Sequence, residues 1–321
     1  MAKRPVSPAL LQQVARIAQR ALPAPGAPHL DDLYDGDDIG SWLTRALAWR
    51  VDADADAADA RAAEATRGAI IANLRDAAAQ ASANRGVGGL VGDGATVYGL
   101  SLAAHLLEAP TLLDAAADHA RLHLTAQRLH ADRHLDLVLG TGGALLALLA
   151  WLDANAARPA ASPPARSDDR DVVRARAVDA GEALCAAIDT AIDRHPTLRR
   201  SGMAHGAAGI AYALARLDAH LDRDPSSDDS TTLRDAVRTL IAHENRLRID
   251  GNRWRDTDDR DDGLEAWCAG TPGIAAARRA SARLLTARDP ALAAQLDADA
   301  DIAFTHARRQ PYGGVDHLCC G

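Results

Sequence analysis

Along most of the chain, Ala, Leu, Ile and Val recur at three- and four-residue spacing, with Arg, Asp and Glu between them. That period gathers the apolar residues on one helix face. It predicts long helices over 61–82, 172–194, 207–221, 231–247 and 272–286. Polar stretches separate them: "NAARPAASPPARSDD" at 155–169, "DRDPSSDD" at 222–229 and "DGNRWRDTDDRDDG" at 250–263. The first is rich in Pro and Ser, but the same helical pattern flanks it on both sides, so it reads as a surface insertion within one domain. The strict alternation of a half-buried strand is almost absent. The pattern predicts an all-α protein.

The helices are introduced in a repeated way. "LYDGDDIG", "GLVGDGATVYGL", "LVLGTGGALLALLAW", "MAHGAAGIAYALARL" and "WCAGTPGIAAARRA" each place glycines just before an alanine-rich helix, and "CCG" at the end presents a sixth. In three of them the form is Gly-x-x-Gly: Gly140/Gly143, Gly206/Gly209 and Gly270/Gly273. The opening glycines Gly36, Gly92, Gly140, Gly206, Gly270 and Gly321 stand 56, 48, 66, 64 and 51 residues apart. Each interval accommodates two helices and two loops, which is the signature of a helical repeat. Six such units can close into a ring, with inner helices starting at the glycine turns and outer helices returning the chain. Residues just before the glycines then converge on one rim, and chemistry is expected there.

Charge and composition narrow the functional classes. A formal net charge of -8 gives no electrostatic reason to expect nucleic acid or an anionic membrane as partner. No apolar run approaches the ~20 residues of a membrane span, and "MAKRPVSPAL" lacks the long apolar core of a signal peptide. Four cysteines in 321 residues make no disulfide framework, so a reducing compartment, the cytoplasm, is expected.

Three of those cysteines stand at repeat turns: Cys268, Cys319 and Cys320. Soft thiolates select Zn²⁺, and three protein ligands with one open position is the catalytic arrangement. Their spacing matches no zinc finger, so incidental core cysteines are the competing reading, and His317 is an alternative ligand. Cys185 lies in "GEALCAAIDTAI", an apolar helical face, and reads as a core thiol. His205 precedes Gly206, where a helix N-terminus disfavours the charged imidazole; it is either an acid/base group or a turn residue. Asp136, four residues before Gly140, is by itself an N-cap or a solvated carboxylate. Trp267 reads as rim packing beside Cys268. The acidic stretch 256–262, "DTDDRDD", is a solvated surface or a contact for a basic peptide.

In this order, "LYDG", "DLVLGTGGALLALL", "GMAHGAAGIAYAL", "WCAGTPGIA" and "DHLCCG" resemble the lanthionine cyclase family, over residues 31–321. The Cys-Cys-Gly ending is similar to the cyclase domain of bifunctional class II lanthipeptide synthetases; stand-alone cyclases have Cys-His-Gly. The resemblance implies a double-layered α/α toroid with zinc at its rim, after an N-terminal extension at 1–30. It places Cys268, Cys319 and Cys320 on the family's metal ligands, His205 on its acid/base histidine and Asp136 on an active-site aspartate. It implies addition of a peptide cysteine thiol to dehydroalanine or dehydrobutyrine in a dehydrated precursor peptide, giving thioether rings, with dehydration done by a separate domain or protein. In the family the chain continues past Cys-Cys-Gly into a closing helix, whereas here it ends at Gly321, so the expected sixth repeat is incomplete. Ala269 also stands where the family often has Tyr or His. An inactive or peptide-binding remnant, and an α/α-barrel carbohydrate-active enzyme, are the competing functions; glutathione addition fits the Cys-His type instead.

Overall fold

The computed structural model describes residues 60–80, 86–160, 166, 168–221, 228–257 and 266–309, with helical residues between 43 and 50. The 1–30 extension, the first glycine turn at Gly36, and the Cys319-Cys320-Gly321 end lie outside the described residues. Ten helices are described: α1 (Ala60–Gln80), α2 (Asp93–Leu106), α3 (Thr111–His123), α4 (Ala126–His130), α5 (Thr141–Ala156), α6 (Asp169–Ala191), α7 (Ala207–His220), α8 (Asp228–Asn245), α9 (Thr271–Leu285) and α10 (Pro290–Ala307). The five helices predicted from periodicity appear as α1, α6, α7, α8 and α9, with ends shifted by no more than a few residues.

They form two layers. The glycine-led helices α2, α5, α7 and α9 pack side by side in chain order, α2 on α5, α5 on α7 and α7 on α9. Each is backed by the helix that follows it: α3 on α2, α6 on α5, α8 on α7 and α10 on α9. Adjacent outer helices touch as well, α1 with α3, α3 with α6 and α6 with α8.

The composition of each layer follows from its position. An inner helix is surrounded, so α5 (TGGALLALLAWLDANA) is apolar on nearly every side and buries ten residues. Its small residues let neighbours approach, while Leu145, Leu148, Leu149 and Trp151 fill the space between layers. Trp151 is wholly buried and its Nε1–H donates to the carbonyl of Leu113, 2.8 Å away, tying α5 to outer helix α3. Outer helices need one apolar face only, and α3 buries Leu112, Leu113, Ala116, Ala117, His119 and Ala120. At the start of α10 the Asp289 carboxylate accepts the N–H of Leu292 at 3.1 Å, and Pro290 occupies the first turn.

Strand structure is limited, among the described residues, to one hairpin. β1 (Arg248–Ile249) pairs antiparallel with β2 (Arg253–Trp254), Arg248 opposite Trp254 and Ile249 opposite Arg253. The hairpin's loop and second strand fall within the polar break read from the sequence at 250–263, and its first strand lies just before it. Its loop turns on Asp250 and Gly251, at φ 52° and 72°, a conformation that Asp tolerates and Gly prefers. Trp254 is buried between two guanidinium groups, Arg248 and Arg278, each 4.9 Å from its ring.

Candidate functional site

The site is built by the glycine turns. In each Gly-x-x-Gly turn, the second glycine packs its Cα against the carbonyl oxygen six residues earlier. A Cβ on Gly143 would lie 2.0 Å from the oxygen of Leu137, and one on Gly273 would lie 2.1 Å from that of Trp267. No side chain fits there without moving backbone. This close approach, rather than freedom of φ, is what the second glycine supplies; the opening Gly270 adds a positive φ of 100°.

Successive turns are joined through their main chains. The N–H groups of Leu90 and Val91 donate to the carbonyl of Val138, at 3.1 and 3.0 Å. Leu137 N–H donates to Ala204 (3.0 Å), and Met203 N–H to Trp267 (3.3 Å). The carbonyl of Cys268 accepts from both Ala204 (3.2 Å) and His205 (3.3 Å). Residues just before the inner helices are thereby brought to one rim, as the repeat predicts.

On that rim three sequence-predicted residues meet. His205 Nδ1 lies 2.8 Å from Asp136 Oδ2. The other oxygen, Oδ1, accepts the N–H of Leu139 at 2.6 Å. Asp136 is buried, and its ionised carboxylate can only accept, so Nδ1 carries the proton and Nε2 is the nitrogen left for a substrate. The His205 side chain keeps 26% of its surface exposed, enough for access from the rim. Asp136 is thus neither a helix cap nor a solvated carboxylate: the residue that holds the start of α5 is Asp132, whose Oδ2 accepts from Thr141 N (2.7 Å), Thr141 Oγ1 (2.9 Å) and Leu135 N (3.0 Å). Cys268 is buried in a cluster with Ala204, Ala266 and Ala269, against which Val138 and Trp267 pack.

Cys319, Cys320 and His317 lie outside the described residues, and among the described ones no group of three or more His, Cys, Asp or Glu could hold a metal ion. Of the three expected thiol ligands only Cys268 is described: a buried thiol, a donor type that suits a thiophilic ion, at a turn lined by alanines and joined to that of His205. Cys185 is a core thiol, as its sequence setting predicts; burial first, then Asp189 and Glu182, push it up to about 11. Asp256, the first residue of the predicted acidic stretch, is buried and binds Arg200 through both carboxylate oxygens at 3.0 Å, so it anchors the turn at Ser201 and is not solvated. Asp258–Asp262 lie outside the described residues.

Two charged clusters escaped sequence reasoning. Glu244 on α8, wholly buried, accepts the N–H groups of Gly202 (3.1 Å) and Ala208 (3.2 Å) and pairs with Arg278 (2.9 Å). Asp93 on α2, also wholly buried, meets His119 Nε2 at 3.0 Å and Arg128 at 2.7 Å. The detectable signal was position: each lies at a helix terminus next to a glycine turn or facing one.

A paired-carboxylate hydrolase finds little support on the described rim, where Asp136 is committed to His205 and Leu139. A family model for lanthionine synthetase C-like protein matches residues 28–321. The solved structure of a nisin cyclase superposes with a TM-score of 0.59 at 14% identity, covering 98% of this chain and 80% of that one, which establishes the all-helical α/α toroid. Comparison with the curated proteins gives no match. A repeat of glycine-led helix pairs, its rim residues in the predicted order, and a family match across nearly the whole sequence lead to one conclusion: the chain belongs to the lanthionine synthetase C-like family.

Proposed function

We propose that this family member is a zinc-dependent, lanthionine-forming cyclase acting on a dehydrated precursor peptide in the cytoplasm. The observation that carries the reading is the rim junction itself: His205 fixed by Asp136 at 2.8 Å, on a turn hydrogen-bonded to the carbonyl of Cys268. Cys268, with Cys319 and Cys320, would hold the metal; when bound, it lowers the pKa of a substrate thiol from about 8.5 so that the thiolate forms near neutral pH. The protein's own groups handle the proton. Nε2 of His205 takes it from the peptide thiol; the sulfur bonds to the β-carbon of dehydroalanine or dehydrobutyrine; the resulting enolate is then protonated at its α-carbon from the same nitrogen. Asp136 keeps Nδ1 protonated throughout, which orients the ring and stabilises the charged imidazole between the two transfers.

The Cys319-Cys320-Gly321 motif supports a site of the class II type, whose precursor is dehydrated by a separate domain or protein. Incubation of a dehydrated precursor with the zinc-loaded protein, followed by a thiol-alkylating probe and mass spectrometry, tests the reading. Loss of free peptide thiols is expected. Thiols persisting at the no-enzyme level, with one metal bound per chain, would favour an inactive or peptide-binding remnant.

A further inference from the structure

We infer that Glu244 is a positioning residue for His205: its carboxylate clamps both ends of the turn that presents the imidazole. This rests on the cyclase reading for its kinetic arm only. Gly202 stands three residues before His205 and Ala208 three residues after it. Both donate their backbone N–H to one oxygen, Oε1, at 3.1 and 3.2 Å. The second oxygen accepts from Arg278 Nη2 at 2.9 Å, and Nη1 of the same guanidinium donates to Asp299 at 2.6 Å. The Arg278 guanidinium also lies over the Trp254 ring. Glu244 is fully buried and Arg278 is 1% exposed, so neither can turn to solvent for other partners.

The consequence is geometric. The turn 201–208 is held on one side by main-chain bonds to Leu137, Asp256, Trp267 and Cys268, and on the other by Glu244. Release of the second side frees two N–H groups and leaves the His205 turn tied to that of Asp136 by one main-chain bond, Leu137 N–H to Ala204, about which the His205 Cα can shift. A 2.8 Å bond between Nδ1 and Oδ2 tolerates little such motion. Glu244 touches no reacting atom. It acts through the tautomer and placement of His205.

The experiment pairs two readouts on the full chain: ring-closure rates over a range of peptide concentrations, giving kcat and KM, and imidazole ¹⁵N shifts of His205 at a pH about two units above an ordinary histidine pKa, assigned by a His205→Gln spectrum. In Glu244→Ala, the Nδ1–H signature should give way to a mixture of tautomers, with kcat down about 100-fold and KM little changed. Glu244→Gln combined with Arg278→Gln keeps an acceptor for both N–H groups without either charge. It should restore the tautomer and bring kcat within about fivefold of the parent, since neutral hydrogen bonds are roughly half as strong as charged ones. Should Glu244→Ala not fold, Glu244→Asp withdraws the carboxylate by one methylene and should show the same defects in smaller measure. A folded Ala or Asp variant with lowered thermal stability, but with unchanged tautomer and unchanged kcat per folded molecule, overturns the inference. A parent protein that shows the Nδ1–H signature yet closes no ring overturns the cyclase reading instead, and the ¹⁵N arm still decides the role of Glu244.

Discussion

The molecule contains two pairs of the same chemical kind in different settings. At the rim, His205 meets Asp136 at 2.8 Å; between α2 and α3, His119 meets Asp93 at 3.0 Å. The inner pair is sealed, with side-chain exposures of 2% and 0%, and the free oxygen of Asp93 is taken by Arg128. His119 also stacks on His123, their ring centroids 4.4 Å apart. At the rim, among the described residues, no arginine competes for Asp136, whose second oxygen takes a backbone N–H, and a quarter of the His205 side chain faces outward. An imidazole and a carboxylate in contact are therefore no mark of a reaction. What separates the two is access for a substrate and a carboxylate not already neutralised by a cation: the rim pair can exchange a proton, and the inner pair can only hold helices together.

That contrast can be broken at either end. The largest effect is expected from His205→Ala, which removes acid–base help worth typically 10²–10⁴-fold, about 3–5 kcal/mol of barrier. Single-turnover cyclisation of a peptide with one Cys and one dehydroalanine should slow by that factor while thermal unfolding stays near the parent's; an unchanged rate would make His205 a turn residue. Asp93→Ala should do the reverse. It removes the buried carboxylate that both His119 and Arg128 contact, and breaking a buried charged pair costs about 3–5 kcal/mol. Urea unfolding would register that loss, with ring closure per folded molecule little altered. A smaller effect is expected from Asp136→Asn, which weakens the hold on Nδ1–H: supporting residues of this kind are worth about 10–100-fold. Bound zinc, measured by atomic emission, should stay at the parent level in that variant.

The gentlest test uses pH. His123 is pushed below an ordinary histidine first by burial and then by His119, with Arg128 acting the same way and Asp93 opposing. A folded pKa below the unfolded one means that the unfolded chain binds more protons. The associated stability is complete above about 6.5, the unfolded value, and is lost as pH falls through it toward the folded value. The parent should therefore lose stability on acidification below that point, and His123→Gln should flatten the slope. Equal slopes in both would show that the buried cluster does not feel protonation.

The sequence showed the repeat and the rim because both depend on local signals. Gly-x-x-Gly before an alanine-rich run is readable, since no other residue fits beneath the carbonyl of Leu137 or Trp267. Periodicity placed α6 through α9, where apolar faces are regular. It passed over α10, whose Asp297, Asp299 and Asp301 look like a polar break until Arg279 and Arg278 are seen to pair with them. Glu244 was invisible for the same reason. Charge in a sequence reads as solvent exposure, and only packing between helices distant in the chain shows that a carboxylate has gone inside with its partner. His205, Asp136 and Cys268 were legible as rim residues, but the bond between the first two, 69 residues apart, belongs to the tertiary structure alone.

One consequence of the joined turns concerns descent more than mechanics. The main-chain bonds that run from the turn at 137 to that at 204, and from there to 268, use a carbonyl and an amide, groups that all residues but proline possess. That share of the rim's cohesion makes no demand on what those residues carry as side chains. An ancestor could exchange a thiol for an imidazole, or a bulky group for the alanine at 269, without rebuilding the scaffold beneath. Such a ring separates inheritance of shape from inheritance of reactivity: glycines hold the first fixed, and the positions just ahead of them are where a lineage can try new chemistry.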